Sequence, residues 1–317
     1  SSITIPEHYK SLLGLYDTSA EDILSILDTA VGMKKLLTQN LKKLPHLQGR
    51  TVTTLFYENS TRTRCSFELA AKYLGAGTVN ISASSSSVQK GETLIDTGYT
   101  LDAMKNDVIV IRHPMGGAPR LLASHVRASV VNGGDGMNEH PTQALLDFYT
   151  MREKFGSFRG LKVAILGDIA HSRVAKSNLF GLTKLGAEVT MFAPATLMPQ
   201  GIERMGAKIA RSREEALAGA NVVMGLRLQL ERLHGGLFPS LSEYAKYYGV
   251  AEEHLRYADK DCIVMHPGPV NRGVELTSDV IDADNSKITE QVLNGVAVRM
   301  ALLFLLVKNR QGGEKNE

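Results

Sequence analysis

Short apolar runs that end in polar or charged residues recur along this chain, and they constrain its fold more than any other feature. The run 107–111, Asp-Val-Ile-Val-Ile, is typical of a strand buried on both faces, and parallel sheets consist of such strands. Helical patterns separate the runs, and this alternation predicts an α/β fold. The other predicted strands are 51–57, 78–81, 128–132, 161–167, 188–193, 221–225 and 262–265.

A length of 317 residues suits two domains, each with its own core. The segment 156–160, which begins and ends with glycine, separates two α/β patterns. We therefore expect a first domain over 1–153 and a second over 154–286. A final apolar helix over 287–310 is expected to pack back on the first domain, and 311–317 to form a flexible tail. The predicted fold class is α/β, with two doubly wound parallel-sheet domains.

Composition excludes several classes of protein. A net charge of +3 is too small to indicate a nucleic-acid partner. No window approaches the ~20 apolar residues that a membrane span needs, so no membrane partner is expected. The two cysteines, Cys65 and Cys262, form no disulfide framework and no metal-binding spacing. A reducing, cytoplasmic location follows as the prediction, with no metal and no cofactor.

The segment 58–64, Glu-Asn-Ser-Thr-Arg-Thr-Arg, occupies a predicted turn from strand to helix. A helix N-terminus offers unpaired backbone N–H groups and the positive end of the helix dipole. Five side chains add donors or positive charge: Ser60, Thr61, Arg62, Thr63 and Arg64. Because cations are unfavourable beside a helix N-terminus, the sequence predicts that an anion binds here. The alternative is an N-capping hydroxyl followed by a solvated first turn.

Further polar residues follow other predicted strands or open helices, where α/β proteins place ligand contacts. They are Arg112, His140, Gln143, Arg173, Arg227, Gln229 and the turn at Gly268 and Pro269, with Lys90 at the end of a serine-rich loop. Cations gathered in one cleft would repel each other unless anions filled it. The pattern predicts group transfer between small anionic molecules, driven by positioning and electrostatics.

Structural alternatives stay open for several of these segments. The loop that holds Lys90 is equally typical of a mobile surface loop with an incidental lysine. The segment 226–232 is also compatible with a charged edge, although alternation places Arg227, Gln229 and Glu231 on one side. The prolines around Gly268 also suit a plain rigid turn.

Seven motifs, in this order, resemble the aspartate/ornithine carbamoyltransferase family, and the pattern is similar to that of its aspartate-specific catalytic chains. The motifs are Ser60-Thr61-Arg62-Thr63-Arg64, Lys90-Gly91-Glu92-Thr93, Arg112-His113-Pro114, His140-Pro141-Thr142-Gln143, Ser172-Arg173, the segment 227–232 and His266-Pro267-Gly268-Pro269. The resemblance implies that carbamoyl phosphate and L-aspartate react to give N-carbamoyl-L-aspartate and phosphate, in pyrimidine synthesis, with no covalent intermediate.

The resemblance also implies a role for each residue. Phosphate binds to Ser60, Thr61, Arg62 and Thr63, while Arg112, His140 and Thr63 polarise the carbonyl oxygen. The carbamoyl amide binds Gln143 and the backbone around Gly268 and Pro269. The aspartate carboxylates bind Arg173 and Arg227, with Gln229 beside them. Lys90 and a serine, Ser86 or Ser87, enter from the neighbouring subunit of a homotrimer. A larger assembly with regulatory or dihydroorotase chains stays open.

Two other functions compete with this interpretation. Ornithine carbamoyltransferases share the Ser-Thr-Arg-Thr-Arg loop, but they typically carry His-Cys-Leu-Pro at the position of His266 to Pro269. Arg227 in a second-carboxylate position would reject the cationic side chain of ornithine. The other is a non-catalytic phosphate-binding module, which His140 and Gln143 at the carbonyl position disfavour. Gly268 departs from the leucine that is frequent there, but a backbone contact does not need that side chain.

Overall fold

The computed structural model describes residues 10–83, 91–229 and 240–314. The chain divides into two compact units. Unit 1 consists of Ser1–Leu146 and Leu293–Glu317, and unit 2 of Asp147–Val292. Both divisions fall inside helices. The predicted assignment of a separate substrate to each domain stays a prediction.

Strands and helices alternate along most of the chain. The strands are β1 (Thr51–Phe56), β2 (Gly77–Ser82), β3 (Val108–His113), β4 (Ser129–Asp135), β5 (Lys162–Leu166), β6 (Glu188–Phe192), β7 (Lys208–Ile209), β8 (Val222–Gly225) and β9 (Ile263–Met265). The α-helices are α1 (Ala20–Thr38), α2 (Thr61–Tyr73), α3 (Gly91–Ala103), α4 (Ala118–Ala123), α5 (Pro141–Phe155), α6 (Arg173–Leu185), α7 (Arg213–Leu217), α8 (Leu241–Tyr248), α9 (Ser278–Ile281) and α10 (Ile288–Glu314).

Each unit contains one sheet whose strands all pair in parallel. The order is β2-β1-β3-β4 in unit 1 and β7-β6-β5-β8-β9 in unit 2. The predicted α/β class is therefore confirmed, and all eight predicted strands are present, with ends shifted by at most three residues. The sequence missed β7, because two residues are too few to show a periodic pattern.

Apolar residues from strands and helices form a separate core in each unit. In unit 1, Leu55, Ile109 and Ile111 of the sheet are fully buried beside Leu122 of α4. In unit 2, buried residues of four strands, β5, β6, β8 and β9, pack with Leu217 and Leu276. The continuous apolar runs in the sequence are buried on both faces, as parallel strands require.

Strand β4 is longer than predicted, because residues 133–135 continue it. His113 pairs with Asp135 after a register shift in the ladder between β3 and β4. A β-carbon on Gly133 would lie 3.2 Å from the carbonyl oxygen of Ile111, so glycine permits this close approach. The extended pairing brings Asp135 to the carboxyl edge of the sheet.

The C-terminal helix α10 packs against unit 1, as predicted. The rings of Phe304 and His46 meet edge to face, with centroids 5.4 Å apart. Arg310 donates to the carboxylate and, at 2.6 Å, to the backbone carbonyl of Asp107, which precedes β3. The helix continues to Glu314, so the prediction of a flexible tail from residue 311 was wrong for its first residues. Anchoring through Arg310 opposes fraying at this end.

Helix α10 corrects the prediction that no stretch of the chain is apolar enough to span a membrane. Residues Ile288–Gln311 are long and apolar enough, by length and composition, to cross a membrane. Two-thirds of that stretch is buried inside the protein (67%), which is what the core helix of a globular protein shows. Its buried apolar residues between Ala297 and Val307 lie in unit 1.

The two cysteines are unpaired and differ in access to solvent, which gives a first prediction. Cys65 is exposed in α2, whereas Cys262 is buried. Burial raises the pKa of the Cys262 thiol and disfavours the reactive thiolate. We expect an aromatic disulfide reagent to react quickly with one thiol of the native protein and with the second only in denaturant. Loss of the fast phase in Cys65→Ser identifies the reactive thiol, whereas two fast equivalents would contradict the burial of Cys262.

Candidate active site

Helix α2 begins as the sequence predicts, with Thr61 as its first residue and Ser60 in the N-cap position. The hydroxyl of Ser60 makes no capping hydrogen bond, so the plain N-cap alternative does not describe it. Thr61 and Arg62 are exposed and Thr63 is buried, and the first turn contains no acidic residue. This helix start therefore presents backbone N–H groups, a hydroxyl and positive charge, which suit an anion.

A pocket of about 230 Å³ opens beside this helix start. Its lining comes from the ends of β1 and β2, from the turn between β1 and α2 and from the first turn of α2: Phe56, Tyr57, Glu58, Asn59, Ser60, Arg64, Ser82 and Ala83. Phe56 pairs with Ser82 in the sheet, so the pocket lies at the carboxyl edge of the strands. This is the position at which α/β sheets bind ligands.

Arg112 connects the helix start to the neighbouring strands. Its Nη1 lies 3.4 Å from Oγ1 of Thr63 and 3.4 Å from the carbonyl oxygen of Gly133. Its Nε lies 3.8 Å from a carboxylate oxygen of Glu58. The structure thus brings two predicted site residues, Thr63 and Arg112, into contact. The Glu58 carboxylate lowers the cost of a partly buried guanidinium while leaving a donor directed at Thr63.

Asp135, which belongs to none of the predicted motifs, fixes the loop that leads to His140. One carboxylate oxygen accepts from the backbone of Gly117 at 2.9 Å and the amide of Asn138 at 3.1 Å. The other accepts from the amide of Asn132 at 2.8 Å and the backbone of Glu139 at 3.1 Å. Four hydrogen bonds to one buried carboxylate restrict this loop strongly.

His140 and Gln143 lie at the start of α5, as predicted. His140 is buried and precedes Pro141, the first helical residue, while Gln143 is half-buried. Proline is well suited to the first helical position because it has no N–H to leave unpaired. Both side chains therefore belong to the same first turn of a rigid helix.

Arg299 of α10 braces the helices that carry these residues. It is buried and donates to the hydroxyls of Ser66 in α2 at 3.1 Å and Thr142 in α5 at 3.2 Å. Its guanidinium carbon also lies 5.1 Å from the ring centre of Phe67. One side chain thus ties α2 to α5, the helix that begins just after His140.

This brace leads to a prediction about stability. Arg299→Met keeps apolar volume over Phe67 but removes both donors, and we expect a loss of about 3 kcal/mol in the free energy of unfolding. Urea unfolding followed by circular dichroism measures it. Arg127→Met, at an exposed position, is the control and should change stability by less than about 0.5 kcal/mol. Equal midpoints for the two variants would contradict the brace.

His113 at the end of β3 gives a pH-dependent prediction. Its Nδ1 accepts from the backbone of Met115 at 3.0 Å, and its ring lies 4.7 Å from that of Tyr57. Burial lowers the pKa of His113, although Glu58 and Asp135 partly oppose the shift. The unfolded chain then binds more protons than the folded one just below the ordinary histidine pKa, so stability falls as the pH drops through that range.

His113→Asn keeps an acceptor for the backbone of Met115 but does not titrate. We therefore expect the variant to lose less stability than the parent protein between pH 7 and pH 5. Urea midpoints measured at both values give the comparison. Parallel losses in the two proteins would show that His113 is not protonated differently in the folded and unfolded states.

In unit 2, three predicted elements follow adjacent strands. Leu166 pairs with Gly225 and Met224 with Met265, so β5, β8 and β9 end at the same edge of the sheet. Arg173, Arg227 and His266 come after these strands in turn. The parallel topology therefore gathers them at one carboxyl edge of unit 2.

Arg173 is the first residue of α6. The hydroxyl of Ser172 caps this helix by accepting from the backbone of Ala175 at 3.0 Å. Just before it, Nδ1 of His171 lies 2.9 Å from a carboxylate oxygen of the buried Asp168. The cap and this pair fix the turn that presents Arg173.

The segment after β8 alternates as predicted. Arg227 and Gln229 are exposed, whereas Leu226 and Leu228 are buried. Leu228 packs with Tyr244 and Leu197 in a small apolar cluster. Glu231, which the same alternation places beside Arg227, lies outside the described residues.

The backbone of Leu226 passes close to the end of β5. A β-carbon on Gly167, whose φ is +144°, would lie 2.6 Å from that of Leu226. Any larger residue at Gly167 would displace the segment that carries Arg227.

The turn formed by residues 266–269 is called the proline turn. It begins at His266, whose Nδ1 accepts from the backbone of Gly268 at 2.8 Å. The peptide bond between Gly268 and Pro269 is cis. Asn271 then donates to the carbonyl oxygen of Leu228 at 3.0 Å. The structure thus ties the proline turn to the Arg227 segment, two elements that are far apart in the sequence.

Some predicted site residues lie outside the described part of the chain. In addition, the sequence did not reveal several residues that support the predicted ones. Lys90, Ser86 and Ser87 belong to the first group. The missed residues are Glu58, Asp135, Asp147, Asn271, Glu275, Gln291 and Arg299. Glu58 acts through an ion pair with Arg112, and the others act through hydrogen bonds to groups that are distant in the sequence. Only Glu58 and Asn271, each two residues from a quoted motif, lie close enough to one to have been found.

Two family descriptions match the chain and together span most of it. "Aspartate/ornithine carbamoyltransferase, carbamoyl-P binding domain" matches residues 10–153. "Aspartate/ornithine carbamoyltransferase, Asp/Orn binding domain" matches residues 159–306.

Individual proteins agree with these descriptions. An aspartate carbamoyltransferase catalytic subunit of Ruminiclostridium cellulolyticum is 63% identical, covering 94% of this chain and 96% of its own. That of Acetivibrio thermocellus is 62% identical, with coverages of 97% and 98%. An ornithine carbamoyltransferase structure from Pyrococcus furiosus has a TM-score of 0.82 at 30% identity, covering 93% and 96%.

A catalytic subunit of M. jannaschii aspartate transcarbamoylase has a TM-score of 0.80 at 36% identity, covering 96% of this chain and 99% of its own. A helix start whose chemistry suits an anion in one unit and a row of arginine-bearing turns in the other fit both family descriptions. The chain therefore belongs to the aspartate/ornithine carbamoyltransferase family.

Proposed function

We propose that the chain transfers the carbamoyl group of carbamoyl phosphate to the amine of L-aspartate. The products are N-carbamoyl-L-aspartate and phosphate, and the reaction is an early step of pyrimidine synthesis. The observation that carries this proposal is the start of α2, where the Ser60 hydroxyl caps nothing and Arg112 reaches Thr63. That geometry suits a phosphate whose neighbouring carbonyl is to be polarised.

In unit 1, we assign Ser60, Thr61, Arg62 and Thr63 to the phosphate. Arg112 and His140, with Thr63, donate to the carbonyl oxygen as it gains negative charge, and Gln143 accepts from the carbamoyl amide. The support is positional, because both helices are rigid and their starts are fixed by Asp135 and Arg299. Donors that are already oriented lower the reorganisation needed in the transition state.

In unit 2, we assign Arg173 and Arg227 to the carboxylates of aspartate, with Gln229 beside Arg227. Backbone carbonyl groups around Gly268 and Pro269 accept from the carbamoyl amide. Arginine suits this task because its planar fork binds a carboxylate through two hydrogen bonds. Exposure of Arg227 and Gln229 on the same side of their segment supports the assignment.

The reaction proceeds by attack of a neutral amine on the carbonyl carbon. The new C–N bond forms as the carbonyl oxygen becomes negative, and the tetrahedral species then expels phosphate. The departing phosphate takes the proton that the amine loses, so no protein group is required as the final base. Catalysis on this account comes from orientation and from stabilisation of charge.

Two observations favour aspartate over ornithine as the acceptor. The fold does not discriminate, because structures of both enzymes superpose about equally well. The relatives above 60% identity, however, are aspartate enzymes, and Arg227 adds a positive charge where ornithine would bring another.

Arg227→Ala tests the acceptor. We expect turnover with L-aspartate but not L-ornithine in the parent protein, and a KM for aspartate raised about 10- to 100-fold in the variant, because a charge-assisted hydrogen bond is lost. Phosphate release from carbamoyl phosphate is the measurement. Arg256→Ala, at an exposed arginine of the same unit, is the control and should leave KM unchanged.

Each other outcome has a definite meaning. Turnover with ornithine would overturn the assignment of unit 2. Binding of carbamoyl phosphate without turnover of either acceptor would support the non-catalytic module instead. A normal aspartate KM in Arg227→Ala would remove Arg227 from the site but leave the reaction standing.

We further propose a homotrimer in which Lys90 and a serine, Ser86 or Ser87, complete the site of the neighbouring copy. The name "catalytic subunit" that the relatives carry suits an assembly. A head-to-tail interface repeated around a threefold axis gives every site one contribution from its neighbour.

Complementation between inactive variants tests shared sites. We expect Arg112→Ala and Lys90→Ala to be nearly inactive alone. After unfolding and refolding together, about a quarter of the sites should combine one intact copy of each residue and regain activity. Sedimentation measures the trimer in parallel. An active monomer, or a mixture as inactive as its parts, would contradict the shared site.

A further inference from the structure

A buried histidine directly after β9 makes three hydrogen bonds. His266 is 1% exposed, and its Nδ1 accepts from the backbone of Gly268 at 2.8 Å. Its Nε2 lies 2.9 Å from a carboxylate oxygen of Glu275, itself 2% exposed. Because Nδ1 is an acceptor, the ring carries its proton on Nε2 and donates it to Glu275. The backbone N–H of His266 donates to the side-chain oxygen of Gln291 at 3.0 Å.

From Glu275 the chain of hydrogen bonds continues to the Arg227 segment. The same oxygen of Glu275 accepts from the backbone of Asn271 at 3.1 Å. The amide of Asn271 donates to the carbonyl oxygen of Leu228, which lies between Arg227 and Gln229. The Arg227 segment is irregular after β8, so this bond restrains it where no sheet pairing does.

In the other direction the chain of hydrogen bonds reaches the helix of Arg173. The amide of Gln291 donates to one oxygen of the fully buried Asp147 at 2.9 Å. The other oxygen accepts from the amide of Asn178 at 2.9 Å. Asn178 belongs to α6, which begins at Arg173. His266 therefore connects three elements by hydrogen bonds: the proline turn, the Arg227 segment and helix α6.

Favourable packing alone does not explain why the buried carboxylate of Glu275 is present. The second oxygen of Glu275 is buried and has no hydrogen-bond partner among the described residues. Burying a carboxylate in this way costs free energy that apolar residues of similar size would not cost. Buried polar networks of this kind fix the geometry of the groups that they join, even where they lower the stability of the protein.

We propose that His266 and Glu275 are positioning residues for carbamoyl transfer. The imidazole holds the Gly268–Pro269 turn, and the carboxylate, through Asn271, holds the segment that presents Arg227 and Gln229. Neither side chain touches substrate. The inference deepens the proposed function and rests on it, because the readouts are the aspartate KM and the kcat of that reaction.

Two substitutions at His266 separate its two contacts. In His266→Asn the amide oxygen takes the place of Nδ1 and still accepts from Gly268, but the bond to Glu275 is lost. In His266→Gln the amide nitrogen takes the place of Nε2 and still donates to Glu275, but the turn loses its acceptor. Both variants bury a neutral amide, so their costs in stability are comparable.

The two variants should therefore differ in kinetics. We expect His266→Asn to raise the KM for aspartate about 10-fold, and His266→Gln to lower kcat about 100-fold with a smaller change in that KM, since small displacements of reacting groups are costly. Glu275→Gln, which keeps an acceptor oxygen, should retain most activity, whereas Glu275→Leu should lose it. Equal kinetic losses in the two His266 variants would overturn the proposal.

A milder pair remains informative if the buried variants do not fold. Asn271→Ala removes only the bond to Leu228. Asn285→Ala removes the same kind of bond, from an amide to the backbone carbonyl of Cys262, at the opposite end of β9. We expect the aspartate KM to rise about 10-fold in the first variant alone, at similar melting temperatures.

The parent protein, assayed beside these variants, distinguishes the two possible failures. If it turns over aspartate and Asn271→Ala behaves like Asn285→Ala, the positioning role is wrong and the proposed function stands. If the parent protein turns over no aspartate, the proposed function fails, and the positioning role for this reaction fails with it.

Discussion

Parallel pairing of the strands is the constraint on which the rest of this structure depends. In a parallel sheet all strands end at the same edge, where the backbone leaves regular pairing and side chains can meet. Unit 1 uses this edge for the helix start at Ser60, for Arg112 and for the loop before His140. Unit 2 uses it for Arg173, for the Arg227 segment and for the proline turn.

Loops at such an edge are irregular, and in each unit buried polar side chains fix them. In unit 1, Asp135 collects four hydrogen bonds and Arg299 reaches two helices. In unit 2, His266 and Asp147 lie on one continuous chain of hydrogen bonds. These groups are expensive to bury singly, but a satisfied network in a low-dielectric interior restricts geometry more than apolar packing does. An enzyme that works by positioning needs that restriction.

The sequence anticipated the elements better than their extents. Continuous apolar runs predicted eight of the nine strands in the described part of the chain, because a strand buried on both faces needs them. Strand β4 nevertheless extends through Gly133 to Asp135, because it pairs with β3 over that length. Helix α10 was predicted from its apolar content. By length and composition alone, however, a helix buried in a core and a membrane-spanning helix look the same. Arg310, anchored on Asp107, extended the helix beyond the predicted end.

The sequence by itself determined the α/β class, the approximate positions of eight strands and the concentration of hydroxyl and guanidinium groups at Ser60 to Arg64. Those features are local, so periodicity and turn chemistry reveal them. Only the tertiary structure decided that Arg112 touches Thr63 and that Asp147 bonds to Gln291, which lies 144 residues away. Such contacts depend on which strands become neighbours, and no local pattern encodes a partner at that distance. The supporting residues Glu275, Asn271 and Arg299 became visible for the same reason.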